Sequence, residues 1–347
     1  MRLRKQLKTK LSKLRYALES ERTRKAVGTG KTPYDMKRAG VAQVVILGLT
    51  QSGKSSLLRA ITNAKVAVGD HPYSTLQPVV GMMDYEDIQI GIVEAPALME
   101  KAAEGRAWGP QVLGLARNSD GILLLLDANQ DPEGQLRILL NELESVGIYP
   151  LKGALPRIEV DATEAGGIKV FCAKSFQGDL SRLPEVAAGE GVRNAVIRIL
   201  EAATEEDVRR AVSERIIYKP FLAVLNKSDL IYPEGLDETV TNIGSKLKTI
   251  SVSAKTGENI ATLKREIFSF LQIIRVYPRR PGQTQPDKPL ILKQDAKVSD
   301  AAAKIHTHFW RNFKFAKIWG PSAKYPREKI GIDFTLKDRD LIEIYIR

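Results

Sequence analysis

One spacing of glycine, lysine and serine in this sequence suits phosphate chemistry. Gly48, Gly53, Lys54 and Ser55 match the pattern G-x-x-x-x-G-K-[ST], directly after an apolar run that ends at Leu47. Glycines let backbone N–H groups curl around an anion, and the N-terminus of a following helix adds a favourable dipole. In that arrangement Lys54 reaches the β- and γ-phosphates of a nucleotide, and the Ser55 hydroxyl ligates magnesium. Gln51, Ser52 and Ser56 belong to the same binding segment.

A second constellation can read the base. Asn226, Lys227 and Asp229 form N-K-x-D after the apolar run 221–225. A carboxylate there accepts two hydrogen bonds from the guanine ring, which adenine cannot supply, and the wrong base leaves a charge unpaired. Ser253, Ala254 and Lys255 follow another apolar run, where a backbone N–H can meet the guanine carbonyl. Alone, each short pattern could be an ordinary polar loop. In this order, each at the end of a strand, they select GTP and GDP over ATP.

The elements that must position these loops alternate in type. Runs 41–47, 88–93, 122–126, 221–225 and 249–252 read as buried strands, with helical patterns at 57–61, 112–117 and 136–146. That alternation argues for a mostly parallel, doubly wound sheet covered on both faces. The stretch between Asp127 and Phe221 is too long for one crossover. Short strands at 157–160 and 168–171 and helices at 184–200 and 205–213 make it an inserted α+β domain. Prolines 278, 281, 286 and 289 read as a linker. Beyond it, strand candidates 290–292, 316–319 and 341–345 and a helix at 298–309 fit a β-grasp-sized module.

Leu3, Leu7, Leu11, Leu14 and Leu18 place a basic amphipathic helix at 2–25. The formal charge of +12 is concentrated at the ends, with +10 on residues 1–40 and +5 on 287–347, so 41–286 carries −3. Basic ends suit a polyanionic partner, for which nucleic acid is the commonest candidate. Between Lys304 and Lys329, basic residues interleave with His308, Phe309, Trp310, Phe313, Phe315, Trp319 and Tyr325, a mixture suited to phosphate contact and base stacking. The competing reading puts Phe315 and Trp319 in the core. No apolar run is long enough to span a membrane. The single cysteine, Cys172, forms no internal disulfide, which suits a reducing cytosol and a cytoplasmic protein. No Cys/His spacing resembles a metal site.

The phosphate and guanine loops, together with 35–40 (DMKRAG), 72–81 (PYSTLQPVVG), 142–148 (ELESVGI) and 313–320 (FKFAKIWG), resemble the Obg-type GTPases. Within them the chain is similar to the developmentally regulated GTP-binding (DRG) subfamily over nearly its whole length. The resemblance implies an N-terminal basic helical segment (1–40), a G domain (41–146 and 218–280) and a C-terminal TGS domain (281–347). It implies that the insertion (147–217) is like the second domain of the fifth small-subunit ribosomal protein. It makes Thr75 the switch I threonine, meeting magnesium and the γ-phosphate. Its further implications are a ribosome or RNA partner and a regulatory protein partner of the kind this family has. A monomer is expected.

Against that family the second switch departs. Where the family has D-x-P-G, this chain has Glu94, Ala95, Pro96 and Ala97. Glu94 can support the metal only by retracting its extra methylene, and Ala97 keeps an N–H for the γ-phosphate but resists conformations that glycine allows. Leu98 stands where many small GTPases orient the attacking water with glutamine, so hydrolysis is expected to be slow. A Gln51 oxygen could coordinate potassium in place of an arginine finger. Lys54, Thr75 and Glu94 form the expected catalytic set. The alternative is a GTP-binding scaffold on RNA that does not hydrolyse.

Overall fold

The computed structural model describes residues 39–63, 77–105, 108–151, 156–172, 176–213, 216–283, 285–305 and 312–346. The basic N-terminal helix and Thr75 lie outside the described residues, as do His71, His306, His308, Phe309, Trp310 and Arg311.

The first half of the chain runs β1 (Gln43–Leu47), α1 (Lys54–Ile61), β2 (Val79–Tyr85), β3 (Ile88–Glu94), α2 (Gly109–Asn118), β4 (Gly121–Asp127), α3 (Pro132–Glu144) and β5 (Ile148–Pro150). The inserted part holds β6 (Ile158–Ala162), β7 (Ile168–Cys172), β8 (Phe176–Gln177), α4 (Leu183–Gly189), β9 (Ala195–Ile199), β10 (Ala203–Thr204) and α5 (Glu205–Ser213). The chain then returns through β11 (Ile217–Lys219), β12 (Phe221–Asn226), α6 (Pro233–Gly244), β13 (Thr249–Ser251) and α7 (Ile260–Phe270). It ends with β14 (Ile273–Pro278), β15 (Leu290–Lys293), α8 (Val298–Ile305), β16 (Phe313–Trp319), β17 (Glu328–Ile330) and β18 (Asp340–Ile346).

The main sheet has the order β13-β12-β4-β1-β3-β2. All its pairings are parallel except the β2–β3 hairpin. Successive residues of β1 feed opposite cores, as strand pleating requires. Val45 and Leu47 pack with α2, α3 and Ile243 of α6, while Val44 and Ile46 pack with α1 and α7. Both faces are thus covered, and β1 and β4 are buried along their whole length. This leaves the carboxyl ends of β1, β3, β4, β12 and β13 as the one rim where loops can hold a ligand.

Two expectations change, one in the insertion and one at the entry to the C-terminal sheet. Residues 184–200 are not one helix: α4 stops at Gly189, and β9 is the central strand between β6 and β7. The run AVIRI alternates, with Ala195, Ile197 and Ile199 buried and the two isoleucines packed against α4 and α5, and period two wins over helical propensity. Second, β14 pairs with β15 and β18, so the chain enters the C-terminal sheet at Ile273 rather than at 281. The proline-rich stretch is the β14–β15 connection within that unit. The C-terminal sheet has the order β15-β14-β18-β16-β17, and α8 packs against one face through Val298 and Ala301. Among the described residues, no helix is long and apolar enough to cross a membrane.

Candidate nucleotide site

The phosphate loop leaves β1 and turns into α1 at Gly53, whose φ is +90°. A Cβ at Gly53 would lie 2.2 Å from the Asn226 Nδ2, and one at Gly48 would lie 2.7 Å from both the Leu125 carbonyl and the Ser52 Oγ. Both glycines are therefore required by crowding, and Gly53 also by its left-handed backbone. Among the described residues no side chain caps the N-terminus of α1, and its first turn carries no acid, so its first-turn amides suit an anion. Gln51 is exposed, with φ +61°. Ser56 is half-buried on the first turn.

Lys54 folds back over this loop. Its ammonium donates to the Gly48 carbonyl at 3.1 Å and to the Leu49 carbonyl at 2.8 Å. Burial holds its pKa down to about 8, and the nearby Glu94 carboxylate only partly restores it. A buried cation with neutral partners on hand gains most from an incoming polyphosphate.

The segment expected as the second switch begins where β3 ends. Glu94 is 1% exposed and its Oε1 accepts the Ser55 hydroxyl at 2.5 Å. The extra methylene therefore carries the carboxylate onto the serine itself. Ala97 is half-buried and is not among the residues with positive φ, so alanine is unstrained here. Leu98 is 1% exposed and packs with Leu47, Ala95 and Leu113, while its N–H donates to the Gly48 carbonyl at 3.2 Å. The leucine is a core residue that pins this segment to the phosphate loop.

Asn226 joins three loops. Its Nδ2 donates to the Ser52 carbonyl at 2.9 Å, and its Oδ1 accepts the Ala254 N–H at 3.1 Å. Asp229 is exposed and is oriented by the Ser253 hydroxyl, which donates to its Oδ1 at 2.6 Å. Ser253 in turn accepts the Thr256 N–H at 3.1 Å. Lys227 has φ +68° and its ammonium lies 2.6 Å from Asp127 Oδ2. Lys255 is exposed at the edge of the third loop.

Two residues of this site were not singled out in the sequence. Asp127 is 3% exposed at the carboxyl end of β4 and holds Lys227. Its signal was an acid closing an otherwise apolar strand, GILLLLD, at the end where ligands bind. Glu258 accepts the Ser228 hydroxyl at 2.9 Å and has no such signal. Among the described residues no cluster of three His, Cys, Asp or Glu forms a self-contained metal site.

The C-terminal sheet also corrects an expectation. On β16 the buried residues are Ala316 and Ile318, so Phe315 and Trp319 are half-buried on the opposite face rather than core. There Phe315 stacks on Tyr345 at 4.6 Å between centroids, and Lys329 lies over Phe315 at 4.2 Å. Lys317 lies over Tyr345 at 4.9 Å and Arg279 over Trp319 at 4.2 Å.

Residues 43–152 match the family model described as 50S ribosome-binding GTPase, 165–273 match the C-terminal region of that domain, and 274–346 match the TGS domain. The chain is 34% identical to an uncharacterized GTP-binding protein of Methanocaldococcus jannaschii, over 98% of this chain and 86% of that one. It is 32% identical to developmentally-regulated GTP-binding protein 1 of Xenopus laevis, over 97% and 91% of the two chains. A Dictyostelium discoideum homologue of developmentally-regulated GTP-binding protein 2 is 30% identical over 97% and 91%. Identity carried through every unit of the fold is shared descent of the whole arrangement, and the chain belongs to the developmentally regulated GTP-binding proteins, P-loop GTPases that carry a C-terminal TGS domain.

Proposed function

We propose that this chain is a cytoplasmic, nucleotide-controlled switch that binds GTP and GDP, hydrolyses GTP slowly with magnesium, and associates with RNA or the ribosome. The observation that carries this reading is Asn226, which ties the phosphate loop to the guanine loop and to Ala254. A nucleotide long enough to touch all three loops would be held by a preorganised frame. Asp229, set by Ser253, is placed to accept from the guanine edge, and Lys54 to neutralise phosphate charge.

The donor set suits magnesium, because the Ser55 hydroxyl and Glu94 carboxylate are adjacent hard oxygens. Magnesium, when bound, neutralises charge that develops on the β- and γ-phosphate oxygens. Thr75 is the proposed third protein contact. Gln51 remains the candidate for potassium. Slow hydrolysis follows from Leu98, whose burial among apolar side chains leaves it no part in orienting water. The basic-aromatic face around Phe315 and Lys329 supports an RNA partner for the C-terminal sheet.

Single-turnover hydrolysis of GTP is expected to be measurable, magnesium-dependent and abolished in Lys54→Ala. No turnover above that variant, with ribosomes present, would contradict the hydrolase reading. It would favour the second reading, a GTP-binding scaffold, which the direct Ser55–Glu94 contact and Ala97 support.

A further inference from the structure

Of the two departures from D-x-P-G, Glu94 and Ala97, only Glu94 brings a side chain that can ligate a metal. Its backbone is fixed on two sides: it pairs with Ile46 of β1 and Val79 of β2, and the next N–H, from Ala95, donates to the Ile46 carbonyl at 3.2 Å. With 1% exposure the side chain has little room to swing, and the Lys54 ammonium attracts it from the phosphate-loop side. The carboxylate is therefore delivered to one place, 2.5 Å from the Ser55 Oγ.

That distance separates two coordination modes. Neighbouring oxygen ligands on an octahedral magnesium, each roughly 2.0–2.1 Å from the ion, lie about 2.9 Å apart. Opening the Ser55–Glu94 contact by about 0.4 Å turns a hydrogen-bonded pair into a pair of cis ligands. An aspartate on the same backbone would stop one carbon–carbon bond short, about 1.5 Å. It would then meet the ion only through a water.

We propose that Glu94 is a direct ligand of the nucleotide's divalent cation, replacing the water that a shorter carboxylate would use. This rests on the reading of the site as a guanine-nucleotide site with a Ser55-bound metal. The consequence is a cation anchored by two protein oxygens even when no γ-phosphate is present. It departs less readily with GDP than a cation held by the serine alone.

The test uses the full-length protein with GDP and Mn²⁺ as a paramagnetic stand-in for magnesium. Broadening of the Mn²⁺ resonance by ¹⁷O-water counts the waters on the ion. A six-coordinate ion holding one phosphate oxygen, Ser55 and Glu94 keeps roughly three waters, against roughly four with an aspartate acting through water. The wild type is expected to show the lower count and Glu94→Asp the higher, with Mn²⁺ affinity in the GDP complex at least about tenfold weaker in the variant. Equal counts in the two proteins, or the higher count in the wild type alone should the variant not fold, would overturn the proposal. Equilibrium dialysis of GDP on the same samples separates the two layers of the argument. GDP bound with the higher water count refutes the direct ligand only, whereas no GDP bound refutes the nucleotide reading beneath it.

Discussion

Lys54 sits in the phosphate loop as a buried ammonium whose only described hydrogen-bond partners are two carbonyls, and burial lowers its pKa to about 8. In the unfolded chain it would titrate near the ordinary lysine value of about 10.4. Between those values the unfolded chain binds more protons, so nucleotide-free stability rises with pH from about 8 upward. Polyphosphate favours the charged form and raises the pKa again, so nucleotide binding has the opposite sign. Affinity is full below about pH 8 and falls roughly tenfold per unit above it, with proton uptake near pH 9. Calorimetry in buffers of different ionisation enthalpy should record that uptake, and Lys54→Arg, always charged, should abolish it. A pH-independent wild-type affinity between pH 8 and 10 would contradict the account. The residues that carry this chemistry were legible in the sequence because the patterns fix type and spacing together. Glu258 was not, because its role arises from the packing of loops distant in sequence, and Asp127 showed only as an acid at a strand end, its hold on Lys227 being set by the same packing.

At the scale of elements, the turn between β2 and β3 clasps the C-terminal sheet through Arg275 of β14. The Arg275 side chain is 2% exposed and pairs with Asp338 at 2.7 Å, Asp87 at 3.0 Å and Glu86. It lies over Phe268, which stacks on Tyr85, at 4.9 Å. Tyr277 donates to Asp87 at 2.7 Å, and Arg339 to Glu86 at the same distance. Removing one partner of a buried pair costs about 3–5 kcal/mol, but these carboxylates are partly exposed and can return to water. Arg275→Met is therefore expected to cost about 2 kcal/mol, read as a lowered denaturant midpoint, with Lys288→Met as a surface control. An unchanged midpoint would show that the clasp contributes nothing. The long apolar strands of the main sheet were legible as runs, since burial on both faces demands them. β2, β9 and β14 were not: each is short or interrupted, and its strand character comes from its neighbours in the sheet.

For the whole molecule, charge and architecture point the same way. The +12 is carried by the two ends, and the described part of the C-terminal end presents lysines over stacked aromatic rings. Lys317→Glu with Lys329→Glu is expected to weaken RNA binding and flatten its salt dependence by about two charges, without changing GDP affinity. RNA binding with an unaltered salt slope would place the contact elsewhere. The central claim is narrower: the three loops at the carboxyl end of the sheet bind guanine nucleotide. Equilibrium competition against labelled GDP on the full-length protein tests it most directly. GTP should displace the label at micromolar concentration while ATP does not at concentrations about a hundredfold higher, and Asp229→Ala should erase the difference. Displacement by ATP and GTP at equal concentrations in the wild type would contradict the account.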